Sequence, residues 1–597
     1  MTAAIIAQRL RRARETLANA SVDALLVPSA DPHLSEYLPA YWQGRQWLSG
    51  FTGSMATLVV TAGFAGLWAD SRYWEQAEAE LDGTGITLMK LMPGQPGPFE
   101  WLGREVPAQG TVAVDGAVLG ITPARALREQ LAPKGIILDT SKDLLGQMWE
   151  GRPALPAQPV YAHVAPYASE TVAVKLARLR QAMAEQGADA HFLATLDDIG
   201  WLFNLRGSDV PYNPVFLAFA LVEADAARLF VAPGKLAAPL AAALAADGVQ
   251  LQPYGDIGQA LAGLAPGSRL LVDPARVTLG LLEQVPDGVQ RVEAINPSTL
   301  FKSRKSEADA LHIRQAMEED GAALCEFFAW FEQAQGQEVL TELTVDERLG
   351  AARARRAGYV CPSFGTIAAF NANGAMPHYR ATEASHACIE GDGLLLIDSG
   401  GQYLGGTTDI TRMVPIGEPT HEQKLDCTRV LKGMIALSRA RFPSGILSPM
   451  LDAIARAPLW ADSVNYGHGT GHGVGYFMNV HEGPQVIAYQ ANPVPHTAMH
   501  AGMITSIEPG TYRPGQWGVR IENLVLAQPA AAAGFGDFLA FETLTLCPID
   551  TRCLLVQRLT QEERDWLNEY HGTVRARLAP LLEGAALQWL DTRTQAI

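Results

Sequence analysis

Two pairs of acids stand inside apolar or β-branched runs on either side of glycine-containing turns, and no other feature restricts the folding of this chain as much. Residues 393–400 read GlyLeuLeuLeuIleAspSerGly, an apolar strand ending in Asp398, and residues 407–411 read ThrThrAspIleThr, a β-branched strand containing Asp409. Glycines at 400, 401, 405 and 406 supply a loop, and a hairpin with its midpoint between Tyr403 and Leu404 sets Asp398 opposite Asp409. Residues 503–508 and 519–526 form a second pair of strands about Gly515, where Pro514-Gly515 suits a tight turn, so that Glu508 opposes Glu522. A period of two puts Arg520, Glu522 and Leu524 on one face of the last strand. Like charges ~4 Å apart repel by about 4 kcal/mol at an effective dielectric near 20. Four carboxylates in such strands therefore demand compensation, and a pair of divalent cations provides it.

Residues 465–476 supply an imidazole. Glycines at 467, 469, 471, 473 and 475 alternate there with His468, Thr470 and His472, a run too rich in glycine for a helix. It allows unusual dihedrals or close approach of the backbone to something else. His472 is the first choice of metal ligand and His468 the second. Four carboxylates and one imidazole make a hard, oxygen-rich set that favours Mn²⁺, with Co²⁺ or Zn²⁺ able to substitute. Two such ions acidify water and polarise a carbonyl oxygen, which points to metal-assisted amide hydrolysis. That chemistry needs proton donors, and His378, His468 and His481 stand in Gly- or Pro-containing loops near the acids.

The rest of the chain bounds the possibilities. A formal charge of -17 argues against nucleic acid or an anionic membrane as partner. Six cysteines without a CxxC pair read as buried free thiols of a reducing compartment. Residues 1–20 interleave Ile5, Ile6, Leu10 and Leu17 with Arg9, Arg11, Arg12 and Arg14, which is an amphipathic helix and not a signal sequence, and no apolar run reaches the ~18 residues of a membrane span. The expected location is the cytoplasm.

At 597 residues three domains are expected. The order helix, strand, Trp-Leu turn, strand occurs twice, at residues 10–61 and 174–222, as in an internal duplication of α/β units. Residues 151–166, with four prolines, form the first linker, and the second boundary falls in residues 296–306, where Ser306 and Asp309 make a capping-box-like start to a helix. The expected domains are 1–160, 161–304 and 305–597.

With these residues in view, the chain resembles the three-domain cytosolic aminopeptidase P group of the creatinase and methionine aminopeptidase superfamily. The resemblance is carried by residues 398–412, 467–475, 479–484 (AsnValHisGluGlyPro), 508–510 (GluProGly) and 519–523 (ValArgIleGluAsn), and extends to residues 45–54, 68–74 and 201–210. It implies an α/β (α+β) fold with two related creatinase-type N-terminal domains followed by a pita-bread catalytic domain. It also implies two divalent cations per chain held by Asp398, Asp409, His472, Glu508 and Glu522, with His378, His468 and His481 as catalytic and substrate-contacting residues. The implied reaction is release of an N-terminal residue that precedes proline, by a homodimer acting on peptides with penultimate proline. A prolidase acting on X-Pro dipeptides, or a metal-free binding module of the same fold, are the alternatives. Gly405 stands where many relatives carry an acid, and Ser506-Ile507 where many have Asp before GluProGly.

Overall fold

The computed structural model describes residues 2–531 and 534–597, so residue 1 of the amino-terminal helix expectation lies outside the described residues. Two compact units divide the chain, one of Met1–Val164 with Glu170–Ser298 and one of Ala165–Ser169 with Thr299–Ile597.

The first unit contains the same sheet twice. In the first copy, Ala24–Pro28 pairs antiparallel with Thr57–Thr61, which pairs antiparallel with Ala65–Ala69, and Thr87–Lys90 adds in parallel. On the other side Thr111–Ala113 and then Ile137–Asp139 add in parallel. In the second copy, Ala190–Leu193 takes the place of Ala24–Pro28, flanked by Ala218–Glu223, Ala227–Val231 and Val249–Pro253 on one side and by Arg269–Val272 and Gln290–Glu293 on the other. Every neighbour and every strand direction recurs. Each copy begins with an amphipathic helix: Ala3–Ala20 buries Ile6, Leu10, Ala13 and Leu17, and Val172–Glu185, capped by the Thr171 side chain, buries Leu176, Leu179 and Met183.

The Trp-Leu pairs are not turns. Trp47-Leu48 lies in the helix Gly44–Ser49 and Trp201-Leu202 in the helix Leu196–Leu202. Leu48 and Leu202 are fully buried, and helices this short carry too few residues to show a period.

The second unit opens with Glu307–Ala334, a helix whose capping box joins Ser306 and Asp309 reciprocally. Behind it, Gly393–Ser399 runs between Ile367–Phe370 and Ile410–Ile416, and a four-stranded sheet includes Ile504–Ile507 and Asn523–Ala530. The helix Gln561–Leu578 puts Leu567, Tyr570, Val574 and Leu578 into the same apolar core as Leu394, Leu396 and Ile507. Among the described residues no helix is long and apolar enough to cross a membrane. All six cysteines are free thiols, but only four are buried: Cys361 is half-buried and Cys388 is exposed, contrary to expectation.

The first acid hairpin has a different register from the symmetric one. Asp398 pairs with Thr411, and Gln402 with Thr407 and Tyr403 with Gly406, so the chain turns at Leu404-Gly405 and Asp409 lies just ahead of its strand. The packing of two fully buried strands and a two-residue loop sets this register, not the acids. In the second hairpin Ile507 pairs with Asn523 and Gly510 with Arg520, so Glu508 and Glu522 oppose each other about Gly515, whose φ is +69°.

Gly321, in the middle of Glu307–Ala334, lets the backbone of Leu546 come close: a Cβ there would lie 2.2 Å from the Leu546 carbonyl oxygen. Replacing an interior helical glycine by alanine ordinarily stabilises by roughly 1 kcal/mol. Here overpacking reverses the sign, and Gly321→Ala is expected to lose ~1–3 kcal/mol in denaturant unfolding. A gain in stability would contradict the packing described.

Candidate metal centre

The register places four acids around the Gly-rich segment. At the rung of Glu508 and Glu522 the hairpin ladder opens: Glu508 donates its N–H to the Thr470 carbonyl at 2.7 Å, and Glu522 donates to the Thr411 carbonyl at 3.2 Å. One acid is thereby tied to the Gly-rich segment and the other to the first hairpin. The glycines of residues 467–475 serve close approach, and none of these described residues has a positive φ. A Cβ on Gly471 would lie 1.9 Å from the Ser506 carbonyl oxygen, and one on Gly473 2.0 Å from that of Glu482.

Ligand atoms of Asp409, His472 and Glu522 all lie within 4.8 Å of one another. The His472 Nε2 is 3.5 Å from Asp409 Oδ2 and 3.5 Å from Glu508 Oε1. His472 Nδ1 is 3.0 Å from its neighbour's carbonyl at Gly473, so Nδ1 carries the proton and Nε2 turns its lone pair to the acids. Asp398 joins the cluster electrostatically, its charge acting on Asp409, Glu508 and Glu522. One of its oxygens is held by the buried Arg520 at 2.5 and 3.2 Å.

Asp398 Oδ1, Asp409 Oδ1 and Glu522 Oε1 are buried and accept no hydrogen bond. An orphaned carboxylate oxygen in a protein interior costs about 1–3 kcal/mol or more, and three such oxygens, two of them on residues clustered with His472, fit divalent cations. Without cations the cluster must hold protons. Burial, then the charge of Glu522, pushes Asp409 well above the usual carboxylate range; burial and Glu522 do the same to Glu508; burial and Asp398 push Glu522 up to about 7.

The three further histidines of the sequence expectation stand around this cluster. The His481 ring is edge-on to His472, with centroids 4.3 Å apart. His468 is 2.8 Å from the Gly469 carbonyl through Nδ1 and 2.8 Å from the Tyr512 hydroxyl through Nε2. Tyr512 in turn accepts from Arg520 at 2.8 Å, which links His468 through Tyr512 and Arg520 to Asp398. His378 is half-buried in a loop whose Pro377 carbonyl also accepts from Arg520, at 3.4 Å.

Several residues that shape the site carry no obvious sequence signal. Glu342, fully buried at the start of a helix, accepts from Phe370 N, Asn373 Nδ2, the Tyr379 hydroxyl and Ala387 N at 2.7–3.1 Å, and so fixes the loop around His378. Ser506 accepts from His472 N at 3.0 Å and donates to Glu508 Oε1 at 3.4 Å. Arg412 donates to the carbonyls of Glu522 and Cys547 and to the Tyr570 hydroxyl, at 2.7–2.9 Å, so the helix Gln561–Leu578 braces a site acid. A Cβ on Gly405 would lie 3.0 Å from His312 Cβ, so a larger residue there needs His312 to give way.

Comparison with known proteins gives this geometry a context. Residues 312–529 match the model of metallopeptidase family M24, and the chain is 37% identical to aminopeptidase P2 of Arabidopsis thaliana over 96% of this chain and 86% of that protein. The chain belongs to family M24, in its aminopeptidase P group. Its two N-terminal sheets fall within separate matches to the creatinase/prolidase N-terminal domain, at residues 9–146 and 151–309, and residues 537–597 match the C-terminal region of peptidase M24. Xaa-Pro aminopeptidase 1 of Dictyostelium discoideum is 34% identical over 99% of this chain and 97% of its own length. The crystal structure of X-prolyl aminopeptidase from Caenorhabditis elegans, described as a cytosolic enzyme with a di-nuclear active site, is 32% identical and covers 100% of both chains with a TM-score of 0.94. The M24 assignment makes this chain a metal-dependent peptidase, with creatinase-type domains ahead of a pita-bread catalytic domain.

The raised carboxylates define a pH test. A group whose folded pKa is raised favours folding below its unfolded value, near 4.5 for Glu522, and that contribution disappears as pH rises through the folded value of about 7. Metal-free protein is therefore expected to lose thermal stability between about pH 5 and 8. Divalent cation at 100 times its Kd restores about 2.7 kcal/mol at the upper end. A melting temperature of metal-free protein that rises over this range would contradict the cluster.

Proposed function

We propose that this chain is a dinuclear aminopeptidase that hydrolyses the bond between an N-terminal residue and a penultimate proline, with Asp398, Asp409, His472, Glu508 and Glu522 as its metal ligands. Orphaned carboxylate oxygens on Asp398, Asp409 and Glu522, the last two residues clustered with His472, carry the metal assignment. The Xaa-Pro preference is supported by relatives of that name that align along nearly the whole chain. Likeness to a Xaa-Pro dipeptidase from Bacillus anthracis is 22% in sequence and covers 64% of this chain, which speaks for the fold alone. The hard donor set favours Mn²⁺, with Co²⁺ or Zn²⁺ able to replace it. The cytoplasm is the proposed location, in keeping with the cytosolic C. elegans relative, and a homodimer is the proposed assembly, by resemblance to the family.

Divalent cations bound there supply Lewis acidity, acidifying water near neutral pH and polarising the scissile carbonyl. The chain's own residues do the rest. Arg520 holds one oxygen of Asp398 so that the other faces the centre, and Ser506 keeps His472 and Glu508 in one orientation. An X-Pro bond is a tertiary amide, so the nitrogen that departs has no N–H and must receive a proton. In this reading His378 and His481 give it, while His468 Nε2 is hydrogen-bonded to the Tyr512 hydroxyl at 2.8 Å.

Purified protein supplied with Mn²⁺ is expected to release the first residue of Arg-Pro-Pro, and to lose this activity with chelator. Asp398→Ala or Glu508→Ala abolishes turnover. His378→Ala lowers kcat by ~10²–10⁴ while metal content stays unchanged. Cleavage of X-Pro dipeptides with no action on tripeptides would make the chain a prolidase instead.

A further inference from the structure

His481 is exposed, and the residue after it turns the other way. Glu482 is 4% exposed, and its two oxygens receive separate ammonium groups: Lys305 Nζ at 2.7 Å and Lys302 Nζ at 3.0 Å, both from lysine side chains almost wholly removed from water. Both lysines come from one short stretch at the start of the second unit. Lys305 is fixed there by its own backbone, whose N–H donates to the Gly502 carbonyl at 2.8 Å. Glu482 is fixed at its backbone as well, donating to the Gly473 carbonyl at 2.8 Å, next to His472. Gly473 lacks a side chain where a Cβ would strike the Glu482 carbonyl oxygen.

Ionic contacts among buried groups add little net stability, because desolvation offsets their attraction and apolar residues of the same volume often hold a fold as well. What an ion cluster supplies and an apolar contact does not is a defined position. The element positioned is the His481 loop: the ring lies 4.3 Å from that of His472, on a segment that reaches the second unit's first residues through Glu482.

We propose that Lys302, Lys305 and Glu482 are positioning residues, a buried brace that sets His481 at the distance from the metal site at which it can act. The proposal rests on the reading of His481 as a proton donor in turnover. An error of about 1 Å in a catalytic group lowers rates by ~10²-fold, so a loosened brace shows in kcat while the five ligands keep their ions.

The test is a double-mutant cycle on the full-length protein with Mn²⁺, reading kcat, KM and metal content. Lys302→Met leaves the Lys305–Glu482 pair neutral, and it is expected to lower kcat about 10- to 100-fold with KM and metal stoichiometry nearly unchanged. In a His481→Ala background the same substitution has no further effect, and Lys302→Arg recovers most of the rate. Should Lys302→Met fail to fold, Glu482→Asp, which keeps all three charges and shortens one arm, carries the same expectation. An equal loss with and without His481, or wild-type kcat in the brace variants, would overturn the brace. Full activity of His481→Ala alone would instead overturn the role of His481.

Discussion

Mutual repulsion of buried carboxylates governs this protein. Asp398 lies in a fully buried strand, Asp409, Glu508 and Glu522 sit at breaks beside core strands, and Arg520 is set against Asp398. Protons relieve the repulsion at low pH and divalent cations at neutral pH. The surrounding structure serves to keep the four acids from relaxing apart: the first hairpin holds Asp398 and Asp409, the second opens its ladder at Glu508 and Glu522, and the Gly-rich segment closes on them through Thr470 and Ser506.

The acids and His472 were legible in the sequence because each departs from its local pattern: a charge at the end of an apolar strand, a histidine among glycines. The second hairpin's register could be read as well, since Pro514-Gly515 names the turn. The first could not, because four glycines allow several turns and the true one, Leu404-Gly405, depends on how Gly393–Ser399 packs against Ile410–Ile416. Glu342, Tyr512, Arg412 and Glu482 escaped for another reason. Each looks ordinary along the chain and acquires its role from partners such as Tyr379, His468, Tyr570 or Lys302, which folding alone brings within reach.

The N-terminal unit shows the opposite balance. Its duplication was legible from a repeated order of apolar runs, and the two sheets share order and direction strand for strand. The Trp-Leu segments were misread as turns because a helix of six or seven residues, with one buried leucine, has no period to detect.

The account stands on cations occupying the space between five side chains. Crystals grown with Mn²⁺ and measured at the manganese absorption edge test this directly. Two anomalous peaks ~3.5–4 Å apart, between His472 Nε2 and the unpartnered oxygens of Asp398, Asp409 and Glu522, are the expected result. No peak there, with the four carboxylates protonated at neutral pH, would contradict it.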